Sequence, residues 1–306
     1  MPKEKKFPNS VLIYNPKSGS AFDRDLWLGT IIDKICTHLK YSVAVHATTA
    51  DITPAELLED CLASEPELVI AAGGDGTIRH VLGSLSETDV AIPVGIVPFG
   101  TGNQLARNLK IYQDALFVDP LQRAVDIIAA GRTRSIDLGK MNGNYFCVAA
   151  GAGPLSDAIL APTREEKENW GMLAYVGSML QTVASQPINF KITADGDVFQ
   201  VKALGVIVTN VGDMGFATMS ERARVDDGKL DLCIVTLAEF TDYVMLGFQV
   251  ASAVLATSAP FYMRKVRSVK IESMNGPVTA NVDGDACGTT PMQIEVIQKA
   301  VRVICP

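Results

Sequence analysis

Histidine is scarce in this sequence: His38, His46 and His80 are the only ones, all early in the chain. A Ser-His-Asp hydrolase is therefore poorly supported. The six cysteines, Cys36, Cys61, Cys147, Cys233, Cys287 and Cys305, are scattered and form no C-x-x-C pair. That spacing suits buried thiols in a reducing compartment, and neither a disulfide framework nor a zinc site. An excess of basic charge is also missing. The net charge of −7 argues against a nucleic-acid partner, which would want a basic face. No long apolar run is present either: the most apolar stretch, 243–256, is too short to span a bilayer and carries Gln249. Met1-Pro2-Lys3-Glu4-Lys5-Lys6 lacks the apolar core of a signal peptide, so the expected location is cytoplasmic.

What is present is a glycine-rich stretch, Gly73-Gly74-Asp75-Gly76-Thr77. It follows the apolar run Leu68-Val69-Ile70-Ala71-Ala72 and precedes Ile78-Arg79-His80-Val81-Leu82, where apolar residues return at helical spacing. This predicts a buried strand, a tight turn and a helix. Three glycines in five residues allow a sharp turn and close approach of backbone to a bulky ligand. Free N–H groups ahead of a helix N-terminus suit phosphate. Asp75 then implies either Mg2+ or a hydrogen-bonding task on the turn. The plainer alternative is a strand–helix turn in which Asp75 and Thr77 cap the helix.

Strand and helix alternate through the first half. Val11-Leu12-Ile13-Tyr14 reads as a strand followed by the turn Asn15-Pro16-Lys17-Ser18-Gly19-Ser20. A helix is expected from about Asp23 to Leu39, a second strand over 41–46 ending at Thr48-Thr49, and a second helix opened by Pro54. A strand at 92–97 leads into Pro98-Phe99-Gly100-Thr101-Gly102-Asn103 and a helix from Gln104. The alternation predicts a parallel sheet with helices on both faces, and its polar turns all fall at the carboxyl edge where such sheets bind ligands. From Arg132 the pattern changes to strands joined by tight turns, with hairpin signals at Asn142-Gly143 and Asp195-Gly196-Asp197 and strand-like runs that include 198–209, 292–297 and 300–305. The expected fold class is α/β plus β: a doubly wound α/β nucleotide-binding domain at 1–131, then an antiparallel β-sandwich at 132–297. The last strand, 298–306, is expected to pack back near the first domain. Helical stretches are expected at 165–185 and 241–257.

The sequence resembles the diacylglycerol kinase catalytic-domain family, which includes bacterial lipid kinases and the sphingosine and ceramide kinases. The resemblance spans nearly the whole chain. It rests on Asn15-Pro16-Lys17-Ser18-Gly19, Gly73-Gly74-Asp75-Gly76-Thr77, Pro98-Phe99-Gly100-Thr101-Gly102-Asn103, Asp137-Leu138-Gly139 and Asp283-Gly284-Asp285, in this order and spacing. It implies ATP in the first domain, a lipid alcohol as acceptor, most simply diacylglycerol, and Mg2+. Asn15, Lys17 and Ser18 would sit by the phosphates, with Thr48 or Thr49 by the nucleotide. Gly73, Gly74, Asp75, Gly76 and Thr77 would cradle the phosphates, flanked by Ile78 and Arg79, with Gly100 and Thr101 closing the other side. Asp283 would be the general base, and Asp75, Asp137 and Asp285 would hold Mg2+ directly or through water. A structural Mg2+ site would use the Asp227 carboxylate and the Lys229 carbonyl, with Asp226 as a further acid.

The chain departs from the family pattern in places. Gln104 stands where the family has an acid after Gly-Thr-x-Asn, and Asp285 where it more often has Glu. Gly151-Ala152-Gly153-Pro154 lacks the usual Asp, and Arg224 replaces an acid three residues before Asp227. The rival readings are a non-catalytic lipid- or nucleotide-binding homologue and an NAD kinase; the latter would carry an Asn-Glu pair, and no such dipeptide occurs. Met172, Tyr175, Val176, Met179 and Leu180 share a helical face that would line an acyl-chain pocket or be plain core. Phe261-Tyr262-Met263-Arg264-Lys265, with Arg267 and Lys270, would give peripheral contact with an anionic membrane surface, or be a solvated strand edge. A homodimer is compatible with the sequence.

Overall fold

A computed structural model describes residues 7, 9–16, 24–39, 41–49, 52, 54–113, 119–160, 186–213, 223–236 and 261–306. Lys17, Ser18, the apolar stripe on 172–180 and the whole of the expected helices at 165–185 and 241–257 lie outside them. The chain divides into two compact units, one of Met1–Ile136 with Lys299–Pro306 and one of Asp137–Gln298.

The first unit is α/β. Strand β1 (Asn9–Tyr14) leads into α1 (Arg24–Asp33), β2 (Ser42–Ala47), α2 (Pro54–Leu62), β3 (Leu68–Gly73), α3 (Asp75–Ser86), β4 (Pro93–Pro98), α4 (Gln104–Asn108) and α5 (Pro120–Ala130). The strands are parallel in the order β2-β1-β3-β4. Every residue of β3 and β4 is buried, as expected of strands covered on both faces. The helix expected at 23–39 changes character part-way. Its α-helical turns end at Asp33 and Lys34–Leu39 continues as π-helix.

Helix α3 shows why the glycine stretch ends where it does. Ile78, Val81, Leu82 and Leu85 recur at helical spacing and are all buried. Helix α5 is bounded by its own sequence: Asp119 Oδ1 accepts the Leu121 N–H at 2.9 Å, Pro120 opens the first turn, and Gly131 at φ 60° ends it. It lies close on β4, since a methyl at Gly95 would fall 2.9 Å from Ile128 Cγ1.

The second unit is an antiparallel β-sandwich. It contains most of β5 (Thr133–Met141), then β6 (Asn144–Phe146), β7 (Ala149–Ala152), α6 (Pro154–Leu160), β8 (Ile188–Ala194), β9 (Asp197–Ala203), β10 (Gly205–Thr209), β11 (Leu230–Val235), β12 (Phe261–Val266), β13 (Ser268–Ser273), β14 (Thr279–Val282), β15 (Asp285–Thr289) and the first part of β16 (Met292–Ile304). One layer runs β16-β13-β8-β9, the other β12-β11-β10-β7-β14-β15. Phe146, Phe190, Ile192, Val208, Leu232 and Ile294 meet in the core between them, each fully buried large side chain contributing about 1.5–3 kcal/mol. Both hairpin turns take positive φ at both central residues, Asn142 and Gly143 at 47° and 89°, Asp195 and Gly196 at 49° and 94°. This is the turn geometry that Asn-Gly and Asp-Gly favour.

The strand reading is corrected in two places. The run 198–209 is two strands in different layers, β9 and β10. Conversely 292–297 and 300–305 form a single strand, β16, which passes Lys299 at φ 50°. Its last residues belong to the first unit, where Arg302 and Val303 lie opposite Pro93 and Val94 of β4 in parallel register.

Candidate active site

In the first unit the register β2-β1-β3-β4 brings four loops side by side at the carboxyl ends of their strands. Asn15 follows β1 and its N–H donates to the Ala72 carbonyl at 3.3 Å, while Thr48 follows β2 and donates to Tyr14 O at 2.8 Å. Gly74 follows β3, and the Phe99 N–H after β4 donates to Gly73 O at 2.8 Å. These are adjacent strand ends of one sheet, the position at which open α/β sheets take ligands.

The glycines there act through proximity, and not through unusual dihedrals. None of Gly73, Gly74 and Gly76 has positive φ, and Gly74 sits extended at φ −83°, ψ −179° as the cap before α3. Two of the glycine positions are tightly enclosed. A methyl at Gly73 would fall 2.7 Å from Thr77 Cβ, and one at Gly100 would fall 2.6 Å from Gly74 Cα. The loops after β3 and β4 thus pack backbone to backbone. Gly76 differs, because a methyl there would meet nothing within 4 Å. Helix α3 begins with Asp75 as its first residue, capped by a residue with no side chain. The cap position itself is Gly74, so neither Asp75 nor Thr77 occupies it; Thr77 is buried and lies over Gly73.

The loop after β4 is braced by a residue that sequence reasoning left out of the site. Asn103, 2% exposed and in the left-handed region at φ 50°, accepts from Gly100 N at 2.8 Å and donates to Gly100 O at 2.7 Å. Its signal is chemical: Asn is among the few residues that tolerate this conformation and bond to nearby backbone. Arg107 Nε adds a bond to Gly102 O at 2.8 Å. A methyl on Gly102 would fall 2.8 Å from Asp75 Oδ2 and 3.6 Å from Gln104 Cγ, so Gln104 does stand in the neighbourhood of Asp75. An open cavity of about 500 Å3 adjoins, lined by Phe99, Gly100, Thr101, Asn103, Tyr112 and Pro120 among others. Ile78 and Arg79 are buried in α3, and Thr101 and Thr49 are exposed.

In the second unit Asp283 forms the β14–β15 turn with Gly284, at φ 48° and 95°. Its carboxylate gathers three amides: Oδ2 accepts Cys147 N at 2.8 Å, and Oδ1 accepts Val148 N and Ala149 N, both at 2.9 Å. Asp285 begins β15 and is exposed. Asp137 in β5 is 1% exposed, and its Oδ2 accepts the Gly228 N–H at 2.6 Å. The neighbouring buried Asn210 donates to Asp137 O at 2.9 Å and Cys147 O at 3.2 Å, bracing the same region.

The sequence expected a metal at Asp227, Asp226 and Lys229. In the structure Asp227 Oδ1 accepts the Lys229 N–H at 3.1 Å, and its Oδ2 is 2.6 Å from the Lys265 ammonium. Asp226 is 3.3 Å from Arg224. Burial pulls the Lys265 ammonium down, but its bonds to Asp227 and Asp231 hold its pKa above the usual lysine value. Among the described residues no group of three or more His, Cys, Asp or Glu is arranged to hold a metal. No helix among them is long and apolar enough to cross a membrane. Three of the cations expected to face a membrane are ion-paired: Arg264 with Asp197 at 2.7 Å, Lys265 as above, and Lys270 with Glu272 at 2.9 Å.

Residues 9–141 match the family model for the diacylglycerol kinase catalytic domain. Residues 148–305 match the model for the YegS C-terminal NAD kinase beta sandwich-like domain. A diacylglycerol kinase of Bacillus subtilis is 28% identical, over 96% of this chain and 95% of its own length. A diacylglycerol kinase of Staphylococcus epidermidis is 29% identical over 96% of this chain and 91% of its own. The crystal structure of a diacylglycerol kinase from Bacillus anthracis superposes with a TM-score of 0.73 at 23% identity, covering 99% of this chain and 98% of that one, which establishes likeness of fold.

Proposed function

We propose, from the premise that this chain belongs to the diacylglycerol kinase catalytic-domain family of lipid kinases, that it transfers the γ-phosphoryl group of ATP to the hydroxyl of a membrane lipid of the diacylglycerol class. The observation that carries this reading is the row of loops at adjacent strand ends in the first unit, two of them packed with no room for a side chain at Gly73 or Gly100. Phosphoryl transfer asks the protein for positioning and charge stabilisation more than for covalent chemistry.

In this reading Gly74–Thr77 and the first turn of α3 hold the phosphates, and the helix N-terminus favours their negative charge. The open space at Gly76 leaves room for them. Asn15, Lys17, Ser18, Thr48, Thr49, Gly100 and Thr101 complete the nucleotide site. Mg2+ takes oxygen donors and is held by one or two carboxylates together with substrate phosphates, so the absence of a three-carboxylate cluster among the described residues fits it. Asp75 would be its first protein ligand in this reading, with Asp137 and Asp285 acting on the acceptor side; bound there, Mg2+ supplies charge neutralisation. Asp283 accepts the proton of the lipid hydroxyl, its carboxylate aimed by the three amides of 147–149. The acceptor is a membrane lipid, so the protein works at a bilayer surface.

The test is transfer of labelled phosphate from ATP into a panel of lipid alcohols, with and without Mg2+. Metal-dependent labelling of a diacylglycerol is expected. ATP binding with no labelled lipid would favour a nucleotide-binding homologue that has lost its chemistry beside Gln104. Asp283→Ala should abolish transfer. It also strands three amide donors, each costing about 1–3 kcal/mol if unmet, so its melting curve must be read alongside. A folded Asp283→Ala protein with full activity would remove Asp283 as the base.

A further inference from the structure

The turn 225–229 of the second unit wraps around Asp137 on two sides. The Asp137 N–H donates to Val225 O at 2.6 Å, and its carboxylate receives the Gly228 N–H at 2.6 Å. The turn is held from its other side by charge. Lys265 lies directly opposite Asp231 in the β11–β12 ladder, and its ammonium reaches Asp231 Oδ2 at 3.4 Å and Asp227 Oδ2 at 2.6 Å.

This is the turn for which family resemblance implies a structural Mg2+, and the residues do not fit one. A Mg2+ ion needs oxygens at about 2.0–2.1 Å in near-octahedral array, and Ca2+ needs six to eight at about 2.3–2.6 Å. Here one Asp227 oxygen is turned to the Lys229 amide and the other to an ammonium. A divalent ion could reach that second oxygen only by displacing the ammonium or sitting against its like charge. We infer that Lys265 is the built-in structural cation of this unit: its ammonium ties the 225–229 turn to β11 and β12, and through that turn fixes Asp137, with no divalent metal at Asp227. The inference does not rest on the kinase reading, and its test uses no activity readout, so the two stand or fall separately.

The experiment is thermal melting of the nucleotide-free full chain in EDTA and in millimolar Mg2+ or Ca2+. The wild-type Tm should not depend on Asp227-bound metal: Asp227→Asn should leave unchanged whatever response Mg2+ or Ca2+ produces elsewhere. Lys265→Met, which leaves two carboxylates facing each other without their cation, should melt roughly 2–4 °C lower. In that variant, divalent metal should recover part of the loss, and adding Asp227→Asn should abolish the recovery. Lys265→Arg should retain the wild-type Tm and its indifference to metal, and supplies the answer if Lys265→Met does not fold. A wild-type Tm that falls in EDTA and returns with Mg2+ or Ca2+, in a manner lost in Asp227→Asn, would overturn the inference. A Lys265→Met protein that melts like wild type and ignores metal would overturn it equally.

Discussion

Gly76 and Gly100 are both glycines of the candidate nucleotide site, yet a methyl group asks different things of them. At Gly100 it would meet Gly74 Cα at 2.6 Å, backbone against backbone. One loop must move, and such overpacking costs about 1–3 kcal/mol. Gly100→Ala should therefore lower Tm and raise the KM for ATP together. At Gly76 the methyl meets no protein atom, and Ala is favoured over Gly within a helix by about 0.8–1 kcal/mol. Gly76→Ala should thus hold or raise Tm while raising the KM for ATP, because the space it fills is the space assigned to phosphate. Melting curves and ATP titrations on the two variants check both statements, and an unchanged KM in Gly76→Ala would move the phosphates away from α3. The sequence shows three glycines in this stretch but not which of them is crowded. Crowding at Gly100 arises from a loop some 25 residues away, across the β3–β4 pairing.

Helix α6 carries an unusual carboxylate. Asp157 packs against β14, where Asn281 Nδ2 donates to its Oδ1. Burial pushes its pKa up, and the Asn281 bond only partly opposes that. The folded state therefore holds this proton more tightly than the unfolded chain does, and the stability so gained is present at low pH. It is lost as pH rises from the unfolded carboxylate value, about 3.9, through the higher folded one, leaving a net cost at neutral pH. Asp157→Asn keeps an oxygen for Asn281 and cannot ionise, so it should raise Tm at pH 7 and lose that advantage in acid. Tm measured against pH for both proteins tests the sign. At this scale the elements were legible where local chemistry decides them: Asn142-Gly143 and Asp195-Gly196 are hairpin turns because few other pairs accept positive φ twice. They were not legible where tertiary pairing decides. The run 198–209 reads as continuous β-formers, and only the pairing of β9 with β8 and of β10 with β7 and β11 divides it between layers. Nor does the spacing of Asp227, Asp231 and Lys265 announce an ion triad, since β11 and β12 are joined by residues too numerous for a hairpin signal.

Across the whole molecule, the net charge is −7, and Arg264, Lys265 and Lys270 are ion-paired with Asp197, Asp227, Asp231 and Glu272. A protein so balanced gains little attraction to an anionic surface, and its overall field opposes approach at low ionic strength, where the Debye length is about 30 Å at 0.01 M. Its association with vesicles should not increase when neutral lipid is replaced by anionic lipid, and should not weaken with added salt. Co-sedimentation with vesicles of both compositions is the check; binding that rises with anionic lipid and falls with salt would show that a basic face outside these ion pairs governs docking. The α/β-then-sandwich organisation was legible because helix-period and strand-period patterns occupy different halves of the sequence. The packing of 298–306 with the first unit was legible too, but that its partner is β4 follows from register, which composition does not encode.

That return also sets an order of events during synthesis. Strand β4 is fully buried, and the partner along one of its edges is the stretch around Arg302 and Val303. A ribosome that has delivered every other strand of the first unit must still translate the whole β-sandwich before this partner emerges. Until then the nascent α/β unit carries an apolar strand with an open hydrogen-bonding edge, the kind of edge that recruits foreign strands. The residues around Arg302 and Val303 are thus a seal, applied only after the β-sandwich has been made.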